Sequence, residues 1–128
     1  MKHVVLAVLL VFLIAAPSSP QSSNDKDPNQ AWTALSGTMR QMHTAMMSVR
    51  TSGESDADFV NLMLPHHQAA IEMAKVQLMY GKDPQMRRLA QEIITDQQSE
   101  IDLMQLWLKQ RKVPATFPPV PSQKEQLK

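Results

Sequence analysis

Ala31, Leu35, Thr38, Met42, Ala45 and Val49 recur at alternating steps of four and three, which places them on one face of a helix. A second periodic run follows. Phe59, Met63, His66, Ala70, Met73 and Gln77 form one stripe, with Val60, Leu64, His67, Ile71, Ala74 and Leu78 beside it. In the third run Met86, Ala90, Ile93, Gln97, Ile101, Met104 and Leu108 form a seam, with Trp107 adjacent. The punctuation agrees with the periods. Asp27-Pro28 and Asp83-Pro84 each pair a good N-cap with a proline suited to the first helical turn. Thr51-Ser52-Gly53 and Tyr80-Gly81 supply stops, and the second helix is expected to start at Ser55 or Asp56. Lys109, Arg111 and Lys112 suit the negative end of the third helix dipole. Pro65 removes one backbone donor inside the second helix and predicts a kink there. Connections this short make neighbouring helices antiparallel. The pattern therefore predicts an all-α fold, a small up-down antiparallel bundle of three helices, or four if Pro65 splits the second.

The two ends read differently. Lys2 precedes an unbroken apolar run, Val4 to Ala16, followed by small residues at Ala15-Ala16-Pro17-Ser18-Ser19. The run is shorter than the ~20 residues that span a bilayer, so residues 1–20 are expected to be a secretory signal peptide. No cysteine follows it, which excludes a lipoprotein anchor. Pro114, Pro118, Pro119 and Pro121 stop the last helix from continuing, so residues 113–128 are expected to form a flexible Pro-rich tail. That leaves 27–112 as the folded domain. Export implies a periplasmic or secreted protein with no membrane association once the signal is removed.

Composition narrows the function. The 128 residues carry 13 Lys+Arg against 12 Asp+Glu, a formal net charge of +1. Without Lys2 the two signs are equal. Such a balance lacks the basic footprint of a nucleic-acid binder. The absence of cysteine excludes disulfides, thiolate metal sites and cysteine nucleophiles. Ten methionines stand beside six aromatic residues, an unusual ratio for a small core.

The methionines cluster with histidine. In Met39-Arg40-Gln41-Met42-His43-Thr44-Ala45-Met46-Met47, residues Met39, Met42, His43 and Met46 are spaced i, i+3, i+4 and i+7 and project from one side of the first helix. Met63-Leu64-Pro65-His66-His67 forms a second cluster. If the first two helices are antiparallel about Gly53-Glu54, facing residue numbers sum to about 107. His66 then meets Gln41 and Met42, and Met63 meets Thr44. Reflection about Lys82 places Gln97 and Gln98 opposite His67 and His66. Neutral thioether sulfur, helped by imidazole, selects Cu(I) and similar soft ions over Mg or Ca. Imidazole also admits Cu(II), whereas zinc is disfavoured without cysteine. The competing structural readings are methionine as core filler and a helix kink where His66-His67 satisfy backbone groups freed by Pro65. A di-iron site would need Glu-x-x-His pairs, and Glu54, Glu72, Glu92 and Glu100 have no histidine three residues on. No nucleophile motif or phosphate loop is present, so no enzymatic activity is expected.

The stretch Asp58-Phe59-Val60-Asn61-Leu62-Met63-Leu64-Pro65-His66-His67-Gln68-Ala69-Ala70-Ile71-Glu72-Met73-Ala74 closely resembles the signature of the domain of unknown function 305 family. Leu89 to Ile94, Gln97 to Ile101 and Met104 to Leu108 also look like that family, so the likeness covers about residues 56 to 110. The Met-rich first helix further resembles CopM-type periplasmic copper-binding members. The resemblance implies a ferritin-like bundle in the bacterial envelope, in some members handling copper or silver. Met63, His66, His67 and Met73 match the family block by position. Met39, Met42, His43, Met46 and Met47 match only the Met/His-rich character of copper-binding members.

The expectation is an exported protein that binds copper for sequestration, resistance or transfer, with silver as a second soft ion. A periplasmic copper exporter or acceptor protein would be its partner. The rival expectation is a metal-independent envelope adaptor or chaperone-like helical protein.

Overall fold

A computed structural model describes residues 28–116, and the expected signal peptide and most of the tail lie outside them. Among the described residues there are three helices and no strands: α1 (Pro28–Ser48), α2 (Ser55–Tyr80) and α3 (Pro84–Arg111). The fold is the expected all-helical antiparallel bundle. α2 is its middle element and packs on both α1 and α3, while α1 and α3 scarcely meet.

Local chemistry sets the boundaries. Asp83 accepts hydrogen bonds from the backbone N–H groups of Gln85 and Met86, both at 2.9 Å, so the Asp-Pro start works as expected. α1 ends at Ser48, short of the expected Thr51-Ser52-Gly53 stop. Asp58 explains the difference. Its carboxylate accepts from the Thr51 hydroxyl (2.6 Å), the Ser52 hydroxyl (2.7 Å) and the Ser52 N–H (2.6 Å), holding the chain in a loop. Gly53 serves that loop at a φ of 84°, where a side chain would be strained. α2 runs unbroken through Pro65, which is buried, so the four-helix alternative is not realised. At its C-terminus the Arg87 guanidinium donates to the carbonyls of Leu78 and Gly81. A Cβ at Gly81 would lie 2.6 Å from the Gln77 carbonyl oxygen, so that position needs glycine for space.

The core belongs to one helix pair. Val60, Leu64 and Ile71 of α2 interlock with Ile101 and Leu108 of α3, flanked by Ile94, Met104, Trp107 and Val113. Fully burying such a side chain contributes about 1.5–3 kcal/mol. The α2 stripe is buried at Val60, Leu64, His67, Ile71 and Ala74 and half-buried at Leu78, whereas Phe59 and His66 of the parallel stripe are exposed. In α1 the expected face is indeed the packed one, yet no residue with a described side chain is fully buried. Val113 packs on the core, and Thr116 donates its N–H to the buried Asn61 side chain at 3.0 Å. The first four residues of the expected flexible tail thus stay against the bundle.

Candidate metal centre

The expected register is close to that observed. A cavity of about 270 Å³ between α1 and α2 brings Thr38, Gln41, Met42 and Ala45 against Pro65, Gln68, Ala69 and Glu72. Met42 and Pro65 have numbers that sum to 107. A second, more apolar groove of about 400 Å³ is bordered by Leu35 of α1, by Ala70, Met73 and Gln77 of α2, and by Met86, Leu89 and Ile93 of α3. Following Leu35 along α1 by i+4, i+7 and i+11 gives Met39, Met42 and Met46. Following Ala70 back along α2 by i−4 and i−7 gives His66 and Met63. These residues therefore border the same side of the bundle, below the apolar groove. Met42 is level with His66, and Met46 with Met63.

Exposure follows this division. Met39 is 47% exposed, and Met42, Met46 and Met63 are half-buried. His43 and His66 are exposed. Met47 is 74% exposed and sits ~100° around the helix from Met46, so it does not turn toward α2. Met73 lies about two turns from His66, in the apolar groove with Met86. It is separate from the cluster.

The two adjacent histidines have different environments. Their ring centroids are 6.0 Å apart, in an edge-on arrangement. No described residue hydrogen-bonds His66. His67 turns toward α3, is 8% exposed, and uses both ring nitrogens: Nδ1 lies 2.9 Å from the Met63 carbonyl oxygen and Nε2 lies 2.7 Å from Glu100 Oε2. Both ring nitrogens are therefore engaged within the fold. His67 holds the Met63 carbonyl, which is not the Asn61 carbonyl that Pro65 frees. Glu100 was not foreseen as its partner. The reflection about Lys82 placed Gln97 and Gln98 at this level, and the actual partner is about one turn further along α3.

Among the described residues, no three His, Asp or Glu side chains converge as a metal cage. The donor set on this face is thioether and imidazole, which suits a soft ion rather than a hard, oxygen-seeking one. The residues able to contribute are Met39, Met42, His43 and Met46 from α1 with Met63 and His66 from α2.

A family model described as "Domain of unknown function (DUF305)" matches residues 9–108. The chain is also similar to "Uncharacterized protein L153" of Acanthamoeba polyphaga mimivirus, at 43% identity over 58 residues. That stretch covers 45% of this chain and 38% of the viral protein.

Proposed function

The chain belongs to the DUF305 family, and from that premise we propose that it binds copper, chiefly Cu(I), as a cargo held by Met39, Met42, His43, Met46, Met63 and His66. Any one ion takes two to four of these donors. The observation that carries this reading is where methionine is found. Ten methionines less Met1 leaves nine among the described residues, and none of the nine is fully buried. The core is instead branched aliphatic, with Val60, Leu64, Ile71, Ile101 and Leu108. Methionine is therefore not the principal core filler, and four of the nine lie on the face shared by α1 and His66.

Thioether sulfur binds without losing a proton, and His66 and His43 add neutral imidazole. Ag(I) would be accepted by the same donors, and Cu(II) by the histidines. In this reading the N-terminal apolar segment exports the protein to the periplasm or outside the cell. The bound ion is then sequestered, or passed to an exporter or acceptor. No step of bond-making chemistry is required, and no helix of the described residues is long and apolar enough to cross a membrane.

Competitive Cu(I) titration against a chromophoric chelator tests the proposal. The protein should withhold Cu(I) from the chelator, and changing Met39, Met42, Met46 and Met63 to Leu with His43 and His66 to Gln should abolish this. Equal affinity in both proteins would refute it.

A second reading has its own support. Trp32 is 72% exposed and Phe59 61% exposed, and the groove at Met73 and Met86 is open, features of a surface for a protein partner. Stoichiometric capture of one envelope protein in the presence of a copper chelator, lost on changing Trp32 and Phe59 to Ser, would favour an adaptor.

A further inference from the structure

The methionines differ in how far solvent reaches them. Met39, Met47, Met79 and Met86 are exposed, while Met42, Met46, Met63, Met73 and Met104 are half-buried. Of the exposed four, only Met39 is one of the proposed copper donors. It stands on α1, which has no buried side chain among those described, so a change at its sulfur leaves the α2–α3 core untouched. Met47 is its natural comparison, on the same helix and 74% exposed, but turned away from α2.

Exposure decides susceptibility when an oxidant arrives. The chain has no cysteine, so no thiol takes up the oxidant before a thioether does. Hydrogen peroxide reacts with the sulfur lone pair. A sulfur–oxygen bond forms, the oxygen–oxygen bond of the peroxide breaks, and the departing oxygen takes the proton of the transferred one and leaves as water. Sulfur loses two electrons and the peroxide gains them. The product is a sulfoxide, which presents a hard oxygen that suits Mg or Ca rather than a soft ion. The lone pair that attacks peroxide is also the pair a thioether gives to a metal. Oxidation and ion binding therefore compete for the same electrons.

We propose that Met39 is an oxidation-sensitive modification site, and that its conversion to the sulfoxide by peroxide loosens the hold of the α1–α2 face on copper. This inference rests on the copper reading above and adds a release step to it. A bound ion in turn shields Met39. Met47, which holds no ion, is oxidised whether or not one is bound. Reduction of the sulfoxide by a reductase that oxidises a dithiol returns the thioether, so the loss is reversible.

The test applies dilute hydrogen peroxide to the intact metal-free protein, locates sulfoxide by peptide mass spectrometry, and reads Cu(I) affinity by chelator competition once the peroxide is removed. Met39 and Met47 should oxidise ahead of Met42, Met46 and Met63. Ag(I), which does not cycle with peroxide, should protect Met39 and leave Met47 unprotected. Cu(I) affinity should fall about tenfold in the wild type and in Met47→Leu. Met39→Leu should start weaker and fall no further, with the circular dichroism of all three proteins unchanged. An untreated wild type that withholds no Cu(I) would sink the copper reading and this inference with it. An untreated protein that binds Cu(I), but keeps its affinity after complete oxidation of Met39, would overturn this inference alone. So would a Met39 that resists peroxide, a Met39 that Ag(I) does not protect, or an equal fall in affinity in Met39→Leu.

Discussion

α2 carries nine buried side chains and α3 four, while α1 buries none of its described ones. Their amphipathic periods look alike in the sequence. What differs is the material placed on each face. α2 and α3 meet through Val, Leu and Ile, whereas α1 meets α2 through Thr38, Gln41, Met42 and Ala45 around a cavity. Well-filled contacts hold a helix by dispersion and exclusion of water, and partly filled ones leave it free to open locally. In the proposed copper role, a loosely held α1 would leave its methionine sulfurs able to turn to an incoming ion.

This contrast can be broken most forcefully in the core. Ile101→Ala is expected to lower global stability by about 2–5 kcal/mol, because Ile101 is fully buried at the centre of the α2–α3 contact. Leu35→Ala in α1 should cost only about 1 kcal/mol, since Leu35 is half-buried. Urea unfolding compares the two, and similar losses would contradict the division. Native-state hydrogen exchange should likewise show α1 amides opening well below the global free energy.

Two substitutions probe the fastenings of the stable pair. Gly81→Ala forces a methyl group against the Gln77 carbonyl, and thermal unfolding should register a loss of about 1–3 kcal/mol. Glu100→Ala leaves a buried nitrogen of His67 unpaired, at about 1–3 kcal/mol by the same assay. If His67 serves the fold and His66 the ion, Glu100→Ala should spare copper affinity in the folded protein, while His66→Ala lowers affinity and spares stability. The reverse pattern would exchange their roles.

The smallest effect expected is on the α1–α2 loop. Hydrogen bonds from Thr51 and then Ser52 hold the Asp58 carboxyl below its ordinary value of 3.8. A depressed folded-state pKa contributes stability that is fully present above the unfolded value and disappears as pH falls through the folded one. Between pH 6 and pH 3 the wild type should therefore lose slightly more stability than Asp58→Asn. No difference in their acid unfolding profiles would separate Asp58 from the loop's stability.

Much of the scaffold was legible because its signals are local. Asp83-Pro84 starts a helix wherever it stands, and short connections make the antiparallel register an arithmetic matter, close enough to bring Met42 to Pro65. Pairings that depend on helix rotation were not legible. The period of α2 gives two adjacent stripes, and only contact with α3 decides that Val60 and His67 are buried while Phe59 and His66 are not. The same rotation brings His67 to Glu100 and sends Met73 into a groove with Met86. Arg87 reaching the α2 carbonyls and Thr116 reaching Asn61 depend on side-chain length and chain direction, which no spacing rule contains.

The most direct measurement is Cu(I) affinity by chelator competition in three proteins: the wild type, a triple variant with Met39, Met42 and Met46 changed to Leu, and a double variant with Met73 and Met86 changed to Leu. Leucine replaces methionine at nearly constant volume, so each variant should fold with stability changes of about 1.5 kcal/mol or less per site. The account predicts that the triple variant loses at least a hundredfold in affinity while the double variant stays within about threefold of wild type. Equal affinities in all three, or a loss confined to the double variant, would contradict it.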